Sequence, residues 1–458
     1  MLNPWNNSII TIFNNLIYLI LLYLIFLFLF KMVLKENRIL SQTICIFLSL
    51  HVILVAFILI EQHRFKINLA NSFNMDDGEA YSANAWQIST ALTGNIPDLS
   101  SVAQMRGIHL TDRGWGLEKF YNNYIKKKII APADEYEVGY ITYLYAIIYA
   151  AYEFKPVLIN FMNVIFHIFT AILIYKSVKY IFNHKTAYLS TLFFLLNPTS
   201  FYYSSTKLQE SIFIFTVYFS IYCYTLTIKK KSFGHAFFIL PSLFIIYTLI
   251  KKLYFFPLLI VFILSSAVII FKKSKKIFFV SFLLIFFVLY CKHVEIFKEI
   301  KAFAVDRLTV SVIYQKGFHS TGGQIYRLFI PGKESHDYTL VDWVNYTCKG
   351  WYHMLFEPIL TPNTSLKLLL FYPVKIIFLI LCVFAILGTL MAIRYGYTEA
   401  VIFISMFIVV GSGIALSSGN IGTLLRHRDI VTPIIFIFSS FYMSRFYNVL
   451  DHGGRRKR

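Results

Sequence analysis

Residues 9–60 read IITIFNNLIYLILLYLIFLFLFKMVLKENRILSQTICIFLSLHVILVAFILI, two apolar runs joined by a short connector that carries Lys31, Lys35 and Arg38. A membrane-crossing helix takes about 20 mostly apolar residues, so each run is long enough to span. No basic residue precedes the first run and no small-residue cleavage site ends it, so a retained helix is expected rather than a signal peptide. The same composition continues through all 458 residues: 57% are hydrophobic, 14% are charged, and the mean hydropathy is +0.63. Soluble domains carry about 25% charged residues. That leaves too little polar surface here for a soluble enzyme, and the fold class expected is an all-α polytopic membrane protein.

The length criterion gives spans at 9–30, 39–60, 157–175, 186–203, 209–228, 233–250, 253–271, 277–291, 368–393, 399–416 and 429–447. Segment 137–154 (EVGYITYLYAIIYAAYEF) has an apolar part too short for a comfortable crossing and is expected to be re-entrant. With such extras the total comes to about 11–13 helices in a single membrane domain, 1–458. The short connections on one side hold the lysine clusters after residues 30, 175, 228 and 271, together with Arg394 and the basic tail 448–458. The positive-inside rule makes that side cytoplasmic. Two long loops, 61–138 and 292–366, hold most of the 23 acidic residues and are expected outside. The net charge of +20 thus reflects membrane topology, and no nucleic-acid partner is expected.

Polar groups at membrane depth are costly and usually face a cavity, which directs attention to three clusters. NMDDGEAY (74–81) places Asp76, Asp77 and Glu79 around Gly78. Such a group can serve as a general base or hold a divalent cation, and its bland alternative is a hydrated acidic turn. LLNPTSFYYSSTKLQES (195–211) forms a turn between spans, in which Thr206 and Gln209 read as a capping box and Glu210 opens the next helix beside Lys207. GNIGTLLRHRD (419–429) puts Arg426, His427 and Arg428 at the outer membrane edge, against the charge rule, with Asp429 read as N-cap of the last helix. Paired guanidinium groups suit a phosphate or diphosphate, and lipid head-group anchoring is the alternative.

The five cysteines contain no C-x-x-C pair, the histidines no H-x-x-x-H, and the chain no P-loop or G-x-S-x-G. Disulfide frameworks, thiolate or histidine zinc sites, nucleotide hydrolysis and serine catalysis therefore lack their usual signatures.

The order of these elements resembles the GT-C superfamily of polytopic glycosyltransferases, which use polyprenyl-phosphate-linked sugars and include protein O-mannosyltransferases and bacterial aminoarabinose transferases. The resemblance rests on Asp76 and Asp77 early in the first long loop, the tyrosine-rich entry GYITYLYAIIYA, and the proline turn NPTSFYYSSTKLQE with its acidic residue, over roughly residues 60–230. Here the acidic loop follows the second span rather than the first, which implies an added N-terminal helix. The resemblance implies that Asp76 or Asp77 is the general base, that Glu79, Tyr81, Lys207, Glu210, Arg426, His427 and Arg428 bind substrate, and that Asp76, Asp77 and Glu210 would hold any Mg or Mn ion. No cofactor is required. It further implies a polyprenyl-phosphate sugar donor, a glycan, lipid or protein acceptor, contact with membrane lipids, and residence in a bacterial plasma membrane with the site outside. Two rivals stay open: a surface-polysaccharide polymerase or ligase using diphosphate-linked oligosaccharide, and a lipid-linked sugar flippase or other transporter.

Overall fold

The computed structural model describes residues 9–34, 37–65, 76–94, 126–127, 141–152, 155–230, 233–245, 252–273, 312, 328, 330–333, 337–357, 372–418 and 421–455. Every α-helix or strand assigned among them is a helix, as composition led one to expect. Among the described residues, six helices are long and apolar enough to cross a membrane, in the stretches Phe13–Met32, Arg38–Ile60, Pro156–Ile181, Glu210–Lys230, Pro373–Arg394 and Thr398–Leu416. The protein is therefore a polytopic integral membrane protein. The chain forms two compact units, Met1–Ile172 with Leu195–Phe219 and Phe244–Lys252, and Leu173–Phe194 with Ser220–Leu243 and Leu253–Arg458.

In the first unit, α1 (Ile9–Val33) and α2 (Arg38–Phe65) form a pair. Asn37 caps α2 by accepting the Leu40 N–H at 3.1 Å, which satisfies one of the donors a helix start leaves unpaired. Ile39, Ile46, Ile53 and Ile60 stay exposed along α2 while Leu40, Ile44, Leu48 and Val55 are buried. An exposed isoleucine stripe two turns apart is expensive in water and costless against lipid. Helix α3 (Asp76–Thr93) packs on α4 (Ile141–Tyr152), with Ser82 Oγ 2.7 Å from Tyr149 Oη. The 12 described residues of α4 make about 18 Å of helix. Helix α5 (Pro156–Ile181) docks on α1 through the ring pairs Phe26–Phe161 and Phe30–Phe169.

The run expected to span at 186–203 is divided. Helix α6 (His184–Leu196) ends where Pro198, which has no N–H to donate, opens the seven-residue α7 (Pro198–Ser204). A 21-residue helix, α8 (Glu210–Lys230), follows. The run 233–250 is also broken, into a 3₁₀ turn (Phe233–Phe238) and the short α9 (Ile239–Ile245). Helix α10 (Lys252–Lys273) covers the run expected to span at 253–271. The expected span 277–291 lies outside the described residues.

The second unit is built on α11 (Leu340–Phe356), α12 (Tyr372–Arg394), α13 (Val401–Ser417), α14 (Ile421–Arg428) and α15 (Thr432–Arg455). Helices α12 and α15 approach closely at Gly388, where a Cβ would collide with the Phe438 carbonyl. The turn after α12 collects basic side chains: Lys272 donates to Gly396 O at 2.8 Å, Arg445 to Tyr397 Oη at 2.7 Å, and Lys229 pairs with Glu399 at 3.1 Å. These cations come from three connections that charge counting assigned to one side of the membrane, and the structure gathers them at one end of this unit.

At the start of α11, Thr339 and Asp342 form a capping box: Thr339 Oγ1 accepts the Asp342 N–H and Asp342 Oδ2 accepts the Thr339 N–H. Lys333 Nζ stands 2.8 Å from the same carboxylate, and it and Thr339 hold the Asp342 carboxyl down to about 2 from its usual 3.8. A carboxyl depressed on folding lends its stability in full above its unfolded pKa and loses it as pH falls through the folded one. The first turn of α11 is therefore expected to lose amide-exchange protection as pH drops from about 4 to about 2. Asp342→Asn, lacking the titration, should not show that step.

Candidate functional site

The first unit contains a polar segment that is almost wholly buried. Ser204, Ser205, Thr206, Lys207, Gln209, Glu210 and Ser211 are all buried, with Lys207 and Glu210 each 5% exposed. Lysine and glutamate are almost never buried this completely without compensation, because desolvating their charged forms costs several kcal/mol. The segment is held by its backbone. Asn163, from the middle of α5, donates both amide hydrogens, one to Thr206 O and one to Leu208 O, each at 2.7 Å. Tyr145 of α4 adds a longer contact to Leu208 O at 3.4 Å.

This geometry replaces the expected capping box. Thr206 Oγ1 turns back to Tyr203 O at 2.7 Å, and Gln209 Nε2 donates across the unit to Tyr81 Oη at 2.9 Å. Helix α8 starts at Glu210, and the Phe213 N–H bonds to Gln209 O. The three-residue spacing of Thr206 and Gln209 fits a capping box, but α8 begins too late for Thr206 to cap it. Glu210 is nonetheless in the first turn, where the helix dipole favours a carboxylate. Tyr81 belongs to α3, whose first residue is Asp76. The backbone thus puts Asp76, Asp77 and Glu79 within the two turns of α3 that lead to Tyr81, and their carboxylates lie outside the described residues. The structure therefore unites Tyr81 with the Lys207–Glu210 segment across 128 positions of sequence.

Two histidines that the motif search passed over adjoin this segment. His51 of α2 and His167 of α5 have ring centroids 5.1 Å apart, and both are buried. His51 Nδ1 lies 2.7 Å from Phe47 O and its Nε2 3.0 Å from Ser204 Oγ, while His167 Nδ1 is 3.4 Å from Ser200 Oγ. A carbonyl can only accept, so Nδ1 of His51 carries a hydrogen. The available signal was a lone histidine inside each of two apolar runs, LSLHVILV and VIFHIFT.

In the second unit, Arg426, His427 and Arg428 form the last turn of α14, not a loop beside a helix N-terminus. Asp429, expected to cap the final helix, is buried three residues before α15 opens at Thr432. Arginines at a helix C-terminus complement its partial negative charge. Arg428 Nη1 donates to Met354 O at 3.2 Å and Glu357 O at 3.1 Å, and its guanidinium lies 4.7 Å over the Phe378 ring. It thereby caps the end of α11. Beside it, His353 Nδ1 is 2.8 Å from Glu357 Oε1. Arg426 is 6% exposed, and its Nη2 is 3.4 Å from Thr423 Oγ1.

Among the described residues no three His, Cys, Asp or Glu side chains come together as metal ligands. The chain matches no protein-family model, no curated protein and no solved structure.

Proposed function

We propose that the protein is a membrane glycosyltransferase that moves a sugar from a polyprenyl-phosphate donor to an extracytoplasmic glycan, lipid or protein acceptor. The observation that carries this reading is the buried segment Ser204–Ser211 at the start of a candidate membrane span, tied by Gln209 to the helix that Asp76 and Asp77 open. A transporter reading would place its polar groups near mid-membrane in paired, broken helices. Here Lys207, Gln209 and Glu210 instead cluster at the mouth of α8 and beside α3.

One carboxylate of the Asp76 and Asp77 pair takes the acceptor hydroxyl proton as the oxygen attacks the anomeric carbon. The bond from that carbon to the phosphate oxygen breaks, and the polyprenyl phosphate leaves with the electron pair. A single displacement inverts the anomeric configuration. Phosphate is a good leaving group, so no second carboxylate is needed to protonate it, unlike in glycoside hydrolysis. Positive charge stabilises the departing phosphate, and Lys207, next to Gln209 and Glu210 in the buried segment, is the cation this unit offers for it. Arg428 is better assigned to holding α11. A divalent cation is not required by this scheme; Asp76, Asp77 and Glu210 are the donors one would use.

Arg426→Ala is expected to weaken donor affinity on the order of 10- to 100-fold, the loss of about 1.5–3 kcal/mol that a hydrogen bond to a charged group contributes. Arg426→Lys should recover part of that loss, since it restores the charge without the planar fork. Titration with a polyprenyl-phosphate sugar measures both, and unchanged affinity in Arg426→Ala would show that Arg426 does not bind the donor.

A further inference from the structure

Helix α11 lies in what charge counting assigns to a water-exposed outer loop, yet it packs lengthwise on a candidate span. Tyr346 Oη donates to Leu416 O at 2.9 Å, Gly350 abuts the Ala415 backbone, and Trp351 meets Gly411 and, at 5.3 Å between centroids, Phe407. As α11 advances, its partners on α13 recede from 416 to 407. The two helices are therefore antiparallel over about nine residues, roughly 13 Å of helix. The C-terminal end of α11 lies that much further along the span than its N-terminal end.

The face turned away from α13 is apolar. Leu340, Val344, Cys348, Tyr352 and Phe356, each one turn after the last, are exposed, as is Val341 at 75%. Asn345 and Lys349 border this stripe, and a lysine stem can carry its charge toward water. Helix α12 also touches α11 and leaves Ile376, Ile380 and Val383 exposed along its own candidate span.

The two ends differ as a dipping helix requires. The N-terminal end carries the capping box, Lys333 and the ring cluster of Tyr338, Trp343 and Tyr346, polar-edged aromatics of the kind that settle at a water–lipid boundary. At the C-terminal end, the Met354 and Glu357 carbonyls receive the Arg428 guanidinium. Helix-end carbonyls in water need no such donor; in hydrocarbon each one left unpaired costs several kcal/mol.

We infer that α11 is a re-entrant helix, dipping beside α13 into the leaflet where α13 ends, and that lipid acyl chains cover its Val344–Cys348–Tyr352 face. This moves residues 340–356 out of the aqueous loop and brings the Arg428–Glu357–His353 group below the membrane surface.

Cys348 is a native probe of this face. In a chain carrying Cys45→Ala, Cys223→Ala, Cys291→Ala and Cys382→Ala, it is to be labelled with a nitroxide and the protein reconstituted in phosphatidylcholine vesicles. Collisions with oxygen, which concentrates among acyl chains, are expected to exceed those with a water-soluble nickel chelate several-fold. A label on Asp337→Cys, in a chain also lacking Cys348, should show the reverse order. More nickel than oxygen collisions at position 348 would put the helix in water and overturn the inference. An immobilised label reached by neither reagent would mean that protein covers the face, and would overturn it equally. The wild-type chain supplies a second reading: phosphatidylcholine with a photoactivatable acyl chain should leave adducts within 340–356, and their absence would also overturn it.

Discussion

Asp76→Asn and Asp77→Asn, made singly, are expected to part company: one loses sugar transfer by about 10²- to 10⁴-fold, the usual contribution of a positioned general base, and the other falls far less. Both positions begin α3, where Asn is accepted as readily as Asp, so neither change should unfold the helix. Asn has nearly the shape of Asp and keeps hydrogen bonding, but it cannot take a proton at neutral pH. The loss should therefore fall on kcat, with donor affinity nearly unchanged. The check is transfer of labelled sugar by each variant at saturating donor, with thermal unfolding in detergent as the control for folding. Full activity in both variants would remove the pair as catalysts and leave the buried segment without a base.

Asn163→Leu is expected to be the most damaging single change away from the acidic pair. Leucine keeps the branched four-heavy-atom outline of asparagine, in a bulkier form, but withdraws both donors from Thr206 O and Leu208 O. A buried carbonyl left without its partner costs about 1–3 kcal/mol; Thr206 O loses its donor outright, and Leu208 O keeps only the longer Tyr145 contact. The segment they anchor positions Gln209 against Tyr81 and sets where α8 begins, so transfer should fall together with the unfolding temperature. Tyr145→Phe provides the comparison, since it removes the 3.4 Å contact to Leu208 O while leaving the Asn163 amide donors in place, and should cost under about 1 kcal/mol. An Asn163→Leu protein as stable and active as wild type would show that the segment does not depend on this anchor.

The membrane helices were legible because a run such as 9–30 or 368–393 has no alternative to spanning: its length and lack of charge decide the matter. The break at Pro198 was visible as a proline, but a hydropathy window averages across it and joins α6 to α7. Helix α11 was hidden for the opposite reason. Its 17 residues include Asp342, Lys349 and His353, enough polarity to resemble a solvated loop until its packing on α13 is seen. Of the candidate site, the residue types in α3 and the 195–211 turn could be read directly. Their union could not, since Tyr81 and Gln209 are 128 positions apart and nothing local links them. Asn163 looked like one polar residue in an apolar run, and its two acceptors became apparent only with the turn in place. The RHR tripeptide could be singled out as charge against the topological rule, but its helix could not be told from a loop. The bonds from Arg428 to the end of α11 could not be read from the tripeptide.

The most direct test is sugar transfer by the purified protein in native lipids, offered a polyprenyl monophosphate sugar and, separately, a polyprenyl diphosphate oligosaccharide. The account predicts turnover of the monophosphate donor with inversion at the anomeric carbon. No transfer from any monophosphate donor, together with extension or ligation of the diphosphate-linked oligosaccharide, would contradict it and make the protein a polymerase or ligase.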